Sequence, residues 1–381
     1  MGTKIKKELN LVHVTSKLTE LGWSQSKLAT EIGVTRETVS KWFKKKKFPR
    51  PAKLLKLAKI LSLSFDDIVL KIDVSEDPVV AFRKKGGHKI SEDYLEAAKD
   101  KGFLLEQLVP YLPYDCQTRP PSLINPNDKY EYVHRAAKRV RNEINGTNSS
   151  VIEFSDLIRF FNQHHAVIIP VLWGNKKNHE NALHVFLPSS MTTWIYLNLD
   201  SKIHDFKFWM AHELGHVKTP DLRGDEAEDF AESFAGALLV PGELAEKEYI
   251  HLRRIASPPR QVARIKELAE KLVVSPLTIY IEINKAAMRL EKPPINLEKD
   301  RAIYKVNTHF CSQYQSIAEA LFDEIPPAPK DYISCAESSF HSPFFGALST
   351  LIVEQKKSVG FLQAILDLPP ADAHLLYDEL S

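Results

Sequence analysis

Near the middle of the chain, the stretch FKFWMAHELGHVKTP places His212, Glu213 and His216 in one helix-forming segment. Side chains at i and i+4 project from the same face of a helix, so the two imidazoles can reach a single metal ion. Histidine binds zinc at about 2.0–2.1 Å, which this spacing permits. Glu213 is turned by about 100° from His212 and suits a general base that takes a proton from metal-bound water. The spacing therefore predicts zinc-dependent hydrolysis.

A catalytic zinc site needs a third protein ligand and an open position. Downstream, DEAEDFAESFAGALLVP predicts a second helix with an acidic first turn and an apolar face. Glu228 precedes the small residues Ala231 and Ala235 by three and seven positions, so it points along the surface that packs towards the histidines. A carboxylate buried there is costly unless it is paired or binds a metal. The simpler interpretation of this acidic turn is that it complements the helix dipole.

Composition sets the broad class of the protein. The chain has 381 residues, of which 44% are hydrophobic and 26% charged, as expected for a globular protein of two or three domains. No apolar run is long enough to cross a bilayer, and no signal-peptide pattern follows the first lysines. Cys116, Cys311 and Cys335 are too few and too widely spaced for a disulfide framework. We therefore expect a cytoplasmic protein without a membrane partner.

The positive charge is concentrated at the N-terminus. Residues 1–73 carry 16 Lys and Arg but only 7 Asp and Glu, whereas the whole chain has a net charge of +2. In this segment Ser24 can cap one helix and Gly33 can end it, and Thr35 can cap the next helix at Arg36. Only Gly33 and Val34 separate the first helix from the cap Thr35, and so short a connection predicts a helix-turn-helix corner. The alternative is a small helical bundle that binds protein and carries solvated lysines.

Residues 11–70 resemble the Xre/Cro-type repressor helix-turn-helix family, through Gln25, the corner LATEIGVT and the segment VSKW. The resemblance implies that the third helix enters the major groove of operator DNA, in a dimer that contacts two half-sites. After Trp42 this chain has Phe43 and a lysine run where the family usually has an acidic residue and a glycine. The implied base-contacting residues are Arg36, Glu37, Ser40 and Lys41, and the cap residue Thr35 is a further implied DNA-binding residue. The implied phosphate-contacting residues are Gln25, Lys44, Lys45, Lys46 and Lys47.

A second resemblance covers about residues 130–290. The segments FKFWMAHELGH and FAGALLVP are similar to those of the ImmA/IrrE (M78-type) metallopeptidases, which inactivate Cro-type repressors. The resemblance implies one Zn²⁺ per chain, held by His212, His216 and Glu228, because the family's glutamate ligand lies thirteen residues before the proline that is Pro241 here. It also implies Glu213 as the catalytic base. Glu232 is a candidate for orienting one of the histidines.

Other histidines have no metal-ligand spacing, and we interpret them as surface or core residues: His164, His165, His179, His184 and His204. The segment LAEKLVVSPLTI repeats the N-terminal corner, but Pro276 falls in the would-be recognition helix. It therefore indicates packing for the zinc domain rather than a second DNA reader.

These patterns predict a mainly α fold with a small β-sheet, of the α+β class. We expect a helix-turn-helix domain over 1–73, a connecting helix and linker over 74–128, and a zincin-like domain over 129–299. Residues 300–381 form a helical region that could sense a ligand, bind a partner or dimerise.

The expected function is a DNA-binding transcription regulator with a zinc endopeptidase that cleaves a repressor or other protein, in trans or in its own linker. The alternatives are a non-proteolytic regulator that uses the zinc domain as a sensor or scaffold, and an antitoxin-like regulator.

Overall fold

A computed structural model describes residues 5–43, 48–73, 77–81, 92–113, 121–145, 151–173 and 182–381. The predicted phosphate contacts at Lys44, Lys45, Lys46 and Lys47 lie outside these residues, as do Cys116 and His179. The chain divides into two compact units, Met1–Glu76 and Asp77–Ser381.

The first unit consists of short helices and one pair of strands. Its elements are β1 (Ile5–Leu9), α1 (Leu11–Glu20), α2 (Gln25–Ile32), α3 (Arg36–Phe43), α4 (Pro51–Leu61), α5 (Phe65–Ile68) and β2 (Val69–Asp73). α2 begins after Ser24 and ends at Gly33 as the sequence predicts, and α3 begins at Arg36 but ends at Phe43, one residue beyond the predicted end. Ser24 accepts a hydrogen bond from the backbone N–H of Lys27, and Gly33 ends α2 in the left-handed conformation. The antiparallel pairing of β1 with β2 is an addition that the helical periodicity did not reveal.

One apolar core supports the corner between α2 and α3. Leu28 and Ile32 of α2 are buried against Val39 and Trp42 of α3. Leu54, Leu57 and Leu61 of α4 complete this core from a third side. The helical spacing of these leucines is what the sequence predicts for a supporting helix.

The second unit contains a four-stranded sheet with helices on both faces. Its strands are β3 (Val79–Ala81), β4 (Ala166–Val171), β5 (Ala182–Leu187) and β6 (Thr192–Asn198). Its helices before the C-terminal region are α6 (Glu92–Glu106), α7 (Tyr130–Asn145), α8 (Phe154–Gln163), α9 (Ile203–Lys218), α10 (Gly224–Leu239), α11 (Gly242–Arg253), α12 (Pro258–Leu272) and α13 (Pro276–Arg289). The last helices are α14 (Ala302–Ser312), α15 (Ile317–Leu321), α16 (Pro329–Ser338), α17 (Phe344–Gln355), α18 (Val359–Leu366) and α19 (Pro370–Leu380). The α+β fold class is confirmed.

The strand order in this sheet is β3-β5-β6-β4. β4 is parallel to β6, and the other neighbouring pairs are antiparallel. Successive side chains of a strand point to opposite faces, so each face has its own core. Ala166, Ile168 and Ile195 lie in the core that includes residues of α8, α9 and α10, whereas Val167 and Trp194 lie in the core that includes α17 and α18.

The second unit extends beyond the predicted zincin-like segment at both ends. β3 pairs with β5, and α6 packs on this part of the sheet, so residues 77–81 and 92–106 are joined to the fold rather than forming a connection between domains. The C-terminal helices α16 to α19 enclose the core on the sheet's second face. The division at residue 128 therefore does not coincide with a boundary between compact units.

The repeated corner between α12 and α13 packs into the core of the second unit, which agrees with the prediction that it supports the zinc domain. Val273 takes the left-handed conformation between the two helices, and Ser275 caps α13. Ile279, Tyr280 and Ile283 of α13 are buried in the core of the unit. Among the described residues, no helix has both the length and the apolar character required to cross a membrane.

Candidate metal centre and helix-turn-helix surface

Three donor groups from two helices meet beside the sheet. The Nε2 atoms of His212 and His216 lie 3.1 Å apart on α9. Each of these nitrogens lies 3.4 Å from a different carboxylate oxygen of Glu228 on α10. Two ligands bound at about 2.0–2.1 Å to one tetrahedral ion are about 3.3 Å apart. The three groups are therefore arranged as ligands around one ion, and this set is the one candidate metal cluster among the described residues.

Small residues bring the two helices close enough to share these ligands. Gly215 lies between the histidines and faces Ala231 of α10, where a Cβ on Gly215 would stand 2.9 Å from the Cα of Ala231. That separation is shorter than real Cβ contacts, so only glycine permits this approach. Ala231 lies three positions after Glu228, so the small residues and the carboxylate occupy the same face of α10.

Burial sets the protonation state of the donors. His212 is 1% exposed, His216 4% and Glu228 9%. Desolvation lowers the pKa of His216 to about 3, and the neighbouring His212 adds to this effect while Glu228 opposes it. A neutral imidazole keeps the lone pair that a metal requires, and an anionic carboxylate offsets the charge of a divalent ion. The donor set therefore fits a divalent metal such as zinc.

Glu213 follows His212 on α9 and is only 3% exposed. Its Oε2 lies 3.7 Å from Nδ1 of His184, a residue of β5. The His184 ring centroid is also 5.3 Å from that of His216. Burial and the two neighbouring histidines hold the pKa of His184 well below its ordinary value, so this ring is neutral. The site thus includes His184 of the sheet, for which the sequence predicts only a surface or core position.

A local signal for His184 does exist. β5 reads ALHVFL and is buried along its whole length. His184 is the one strongly polar side chain in this apolar run, and the alternation of the strand directs it away from the face of Leu183 and Val185. A buried histidine in an apolar strand needs a polar partner.

Glu232 lies one turn beyond Glu228 on α10. Its Oε2 is 3.7 Å from Nδ1 of His212, the ring nitrogen opposite the donor Nε2. A carboxylate at that position orients an imidazole and increases its basicity. Glu232 also lines a cavity of about 790 Å³ between α9, α10 and α13, which further includes Trp209 and Glu282.

The predicted base-contacting side chains of α3 lie on one exposed face of that helix. Arg36, Glu37 and Lys41 of α3 are exposed and Ser40 is half-buried, on the side opposite Val39 and Trp42. Glu37 and Lys41 form an ion pair of 2.7 Å. Two further side chains of the predicted set, Gln25 and Thr35, are also exposed. The Thr35 hydroxyl accepts a hydrogen bond from the backbone N–H of Thr38 and so acts as the predicted cap.

The fold and the two sites define two classes of domain. The tight corner before α3 and its exposed polar face are typical of a helix-turn-helix domain. The histidine and glutamate donors beside a small sheet are typical of a metallopeptidase-like domain. The comparisons with known proteins agree with both. Residues 16–68 match the helix-turn-helix family model. Residues 166–284 match the IrrE N-terminal-like domain, the Peptidase M78 family. No curated protein matches the chain. The chain is therefore a fusion of a helix-turn-helix domain with an M78-family domain.

Proposed function

We propose that this protein is a DNA-binding transcription regulator whose M78-family domain is a zinc-dependent endopeptidase. The observation that carries the proposal is the cluster of His212, His216 and Glu228, with donor atoms 3.1–3.4 Å apart and Glu213 beside them. The match to a peptidase family over residues 166–284 supports the same reaction class.

His212, His216 and Glu228 would hold the ion, and a bound zinc would supply an activated water and a Lewis acid for a peptide carbonyl. Glu213 accepts a proton at its carboxylate and later returns it to the leaving amine. His184 lies beside that carboxylate on the sheet side, and Glu232 lies behind His212, where a carboxylate can orient the ring. The buried surroundings exclude bulk water and so strengthen these interactions.

The substrate that we propose is a repressor protein, cleaved in trans, or this chain's own connection, cleaved in cis. The helix-turn-helix surface would bring the peptidase to an operator. One such module binds weakly alone, so we propose a homodimer that contacts two half-sites.

Substitution of the proposed catalytic base tests whether proteolysis, as distinct from DNA binding, is required for function. Glu213→Gln keeps the size and burial of the side chain but removes the base, so we expect zinc content to stay unchanged and protein cleavage to fall by about 10²–10⁴-fold. Regulation in cells would be lost with it. If the Glu213→Gln variant regulates normally, proteolysis is not the function.

A second candidate function rests on the burial of the site. The four central residues are only 1–9% exposed, which favours a closed metal centre that senses or stabilises rather than cleaves. In that case the Glu213→Gln variant retains regulation, whereas loss of Glu228 abolishes it.

A further inference from the structure

The edge of the sheet nearest the metal centre is covered by a strand from outside the family-matched region. β4, β5 and β6 lie within residues 166–284, and β5 forms the edge of that three-stranded part. β3 adds to this edge in antiparallel register, with Val79 opposite Phe186, Val80 opposite Val185 and Ala81 opposite His184. A polypeptide segment thus occupies a sheet edge that the domain core would otherwise leave open.

This edge passes beside the catalytic groups. His184, the partner of Ala81, lies 3.7 Å from Glu213 and its ring is 5.3 Å from that of His216. A polypeptide that pairs with β5 is therefore held with its backbone next to the base and a metal ligand. Strand addition of this kind binds extended peptides through main-chain hydrogen bonds, whatever their sequence. Side chains that alternate on the added strand then provide selectivity.

β3 is held on this edge by α6. Lys99 of α6 forms an ion pair of 3.4 Å with Asp77, just before the strand. Gly102 lies against Pro78 so closely that a Cβ on Gly102 would stand 2.3 Å from the Cβ of Pro78. Val80 packs on the core of the sheet's second face. The strand contains small aliphatic residues only, so the edge accepts an extended segment of that kind.

Given the proposed peptidase function, we infer that the edge of β5 is the docking edge for an extended polypeptide substrate with small aliphatic residues, and that β3 occupies it in cis. Substrate must displace residues 77–81 to reach the catalytic groups. The chain's own strand and the substrate are thus competitors for one edge.

A matched pair of variants tests this competition. Gly102→Ala places a methyl group into Pro78 and pushes β3 from the edge, while Val185, whose Cγ1 is 3.3 Å from the same Cβ, needs to move little. Gly346→Ala is the control, because it also adds a methyl group to a glycine of a helix but nothing lies within 4 Å of that Cβ. Both variants gain helix propensity, so their difference reports the displacement.

Two measurements on the zinc-loaded full chain follow the effect. We expect the backbone amides of 184–186 that face β3 to exchange hydrogen about tenfold faster in Gly102→Ala than in Gly346→Ala, with zinc content equal in both. Cleavage of labelled casein rises by a similar factor in Gly102→Ala alone. Faster exchange with an unchanged, measurable cleavage rate would overturn the competition.

A different result separates this inference from the proposed function. If neither wild type nor Gly102→Ala cleaves casein, a repressor protein or its own chain, the peptidase proposal fails. A synthetic peptide with the sequence of residues 77–81, added to Gly102→Ala, still tests the edge. Protection of the β5 amides by this peptide supports docking, and no protection at saturating peptide refutes it.

A second variant, independent of Gly102, should lower the rate of casein cleavage instead of raising it. Val80 and Val185 are directly opposite each other, and Cα atoms of such pairs are about 4.5–5.5 Å apart, within the range that a disulfide bridges. Val80→Cys with Val185→Cys should lose casein cleavage when oxidised and recover it after reduction with a phosphine. An oxidised form that cleaves casein at the rate of its reduced form would rule out displacement of β3.

Discussion

Removal of the glutamate ligand tests the metal centre most directly. Glu228 supplies an oxygen 3.4 Å from each of the two histidine donors, so Glu228→Ala leaves a two-histidine site without the anionic ligand. Tight protein zinc sites have apparent binding free energies of about 10–16 kcal/mol over four ligands, or about 2.5–4 kcal/mol for each ligand. We therefore expect Glu228→Ala to weaken zinc binding by about 10²–10³-fold.

The assay is zinc content by elemental analysis after dialysis, followed by titration against a chromophoric chelator. Glu226→Ala is the control, because Glu226 lies on the exposed first turn of the same helix. Wild type and Glu226→Ala should each retain about one zinc per chain. If Glu228→Ala binds zinc as tightly as wild type, Glu228 is not a ligand. If wild type supplied with zinc binds none, the peptidase proposal fails.

Three further predictions concern packing, DNA binding and acid stability. Gly215→Ala should drive α9 and α10 apart, lowering unfolding free energy by about 1–3 kcal/mol and zinc affinity with it, as measured by denaturation and chelator titration. Arg36→Ala and Lys41→Ala should each weaken operator binding by about 1–3 kcal/mol in gel-shift titrations, because both side chains are exposed on α3. Burial lowers the pKa of His204 to about 4, so the unfolded chain binds the additional proton between about pH 4 and 6.5 and the free energy of unfolding rises with pH there. Across that window His204→Phe should reduce the total change in the free energy of unfolding by about 3 kcal/mol, as measured by denaturation at a series of pH values.

Each of these three results has a counterpart that would contradict it. A Gly215→Ala variant with unchanged zinc affinity would mean that the helices tolerate the methyl group. Operator binding that is indifferent to both α3 substitutions would favour the protein-binding bundle. A His204→Phe variant whose stability falls with acid as steeply as that of wild type would mean that other groups carry the slope.

The features that the sequence predicts well are those set by local spacing. The caps at Ser24 and Thr35 and the left-handed Gly33 are short-range choices, so the corner between α2 and α3 could be predicted residue by residue. His212 and His216 share a face by helical periodicity alone. Glu228 required one further step, the recognition that small residues on its face allow close packing.

The features that escaped prediction depend on contacts between distant segments. His184 is 29 residues before Glu213 in the chain, and no spacing rule connects a strand residue with a helix residue across a sheet. The sequence does contain a signal for the covering role of the C-terminal helices. β4, β5 and β6 are buried on both faces, and such strands require a layer on each side of the sheet. The helices within residues 129–299 cover one face of the sheet, so segments from elsewhere in the chain must cover the other face.

The burial of the metal centre and its proposed activity are compatible only if some covering element opens. α10 carries Glu228 and packs a long apolar face into the core, so its displacement would unfold the domain. β3 has three residues, and its ladder contributes only a few hydrogen bonds of about 0.5–1.5 kcal/mol net each. An edge strand with so few main-chain hydrogen bonds opens locally at a lower free energy than a ligand helix packed in the core. Access to Glu213 should therefore come through the edge of β5, with the sheet and both ligand helices remaining in place.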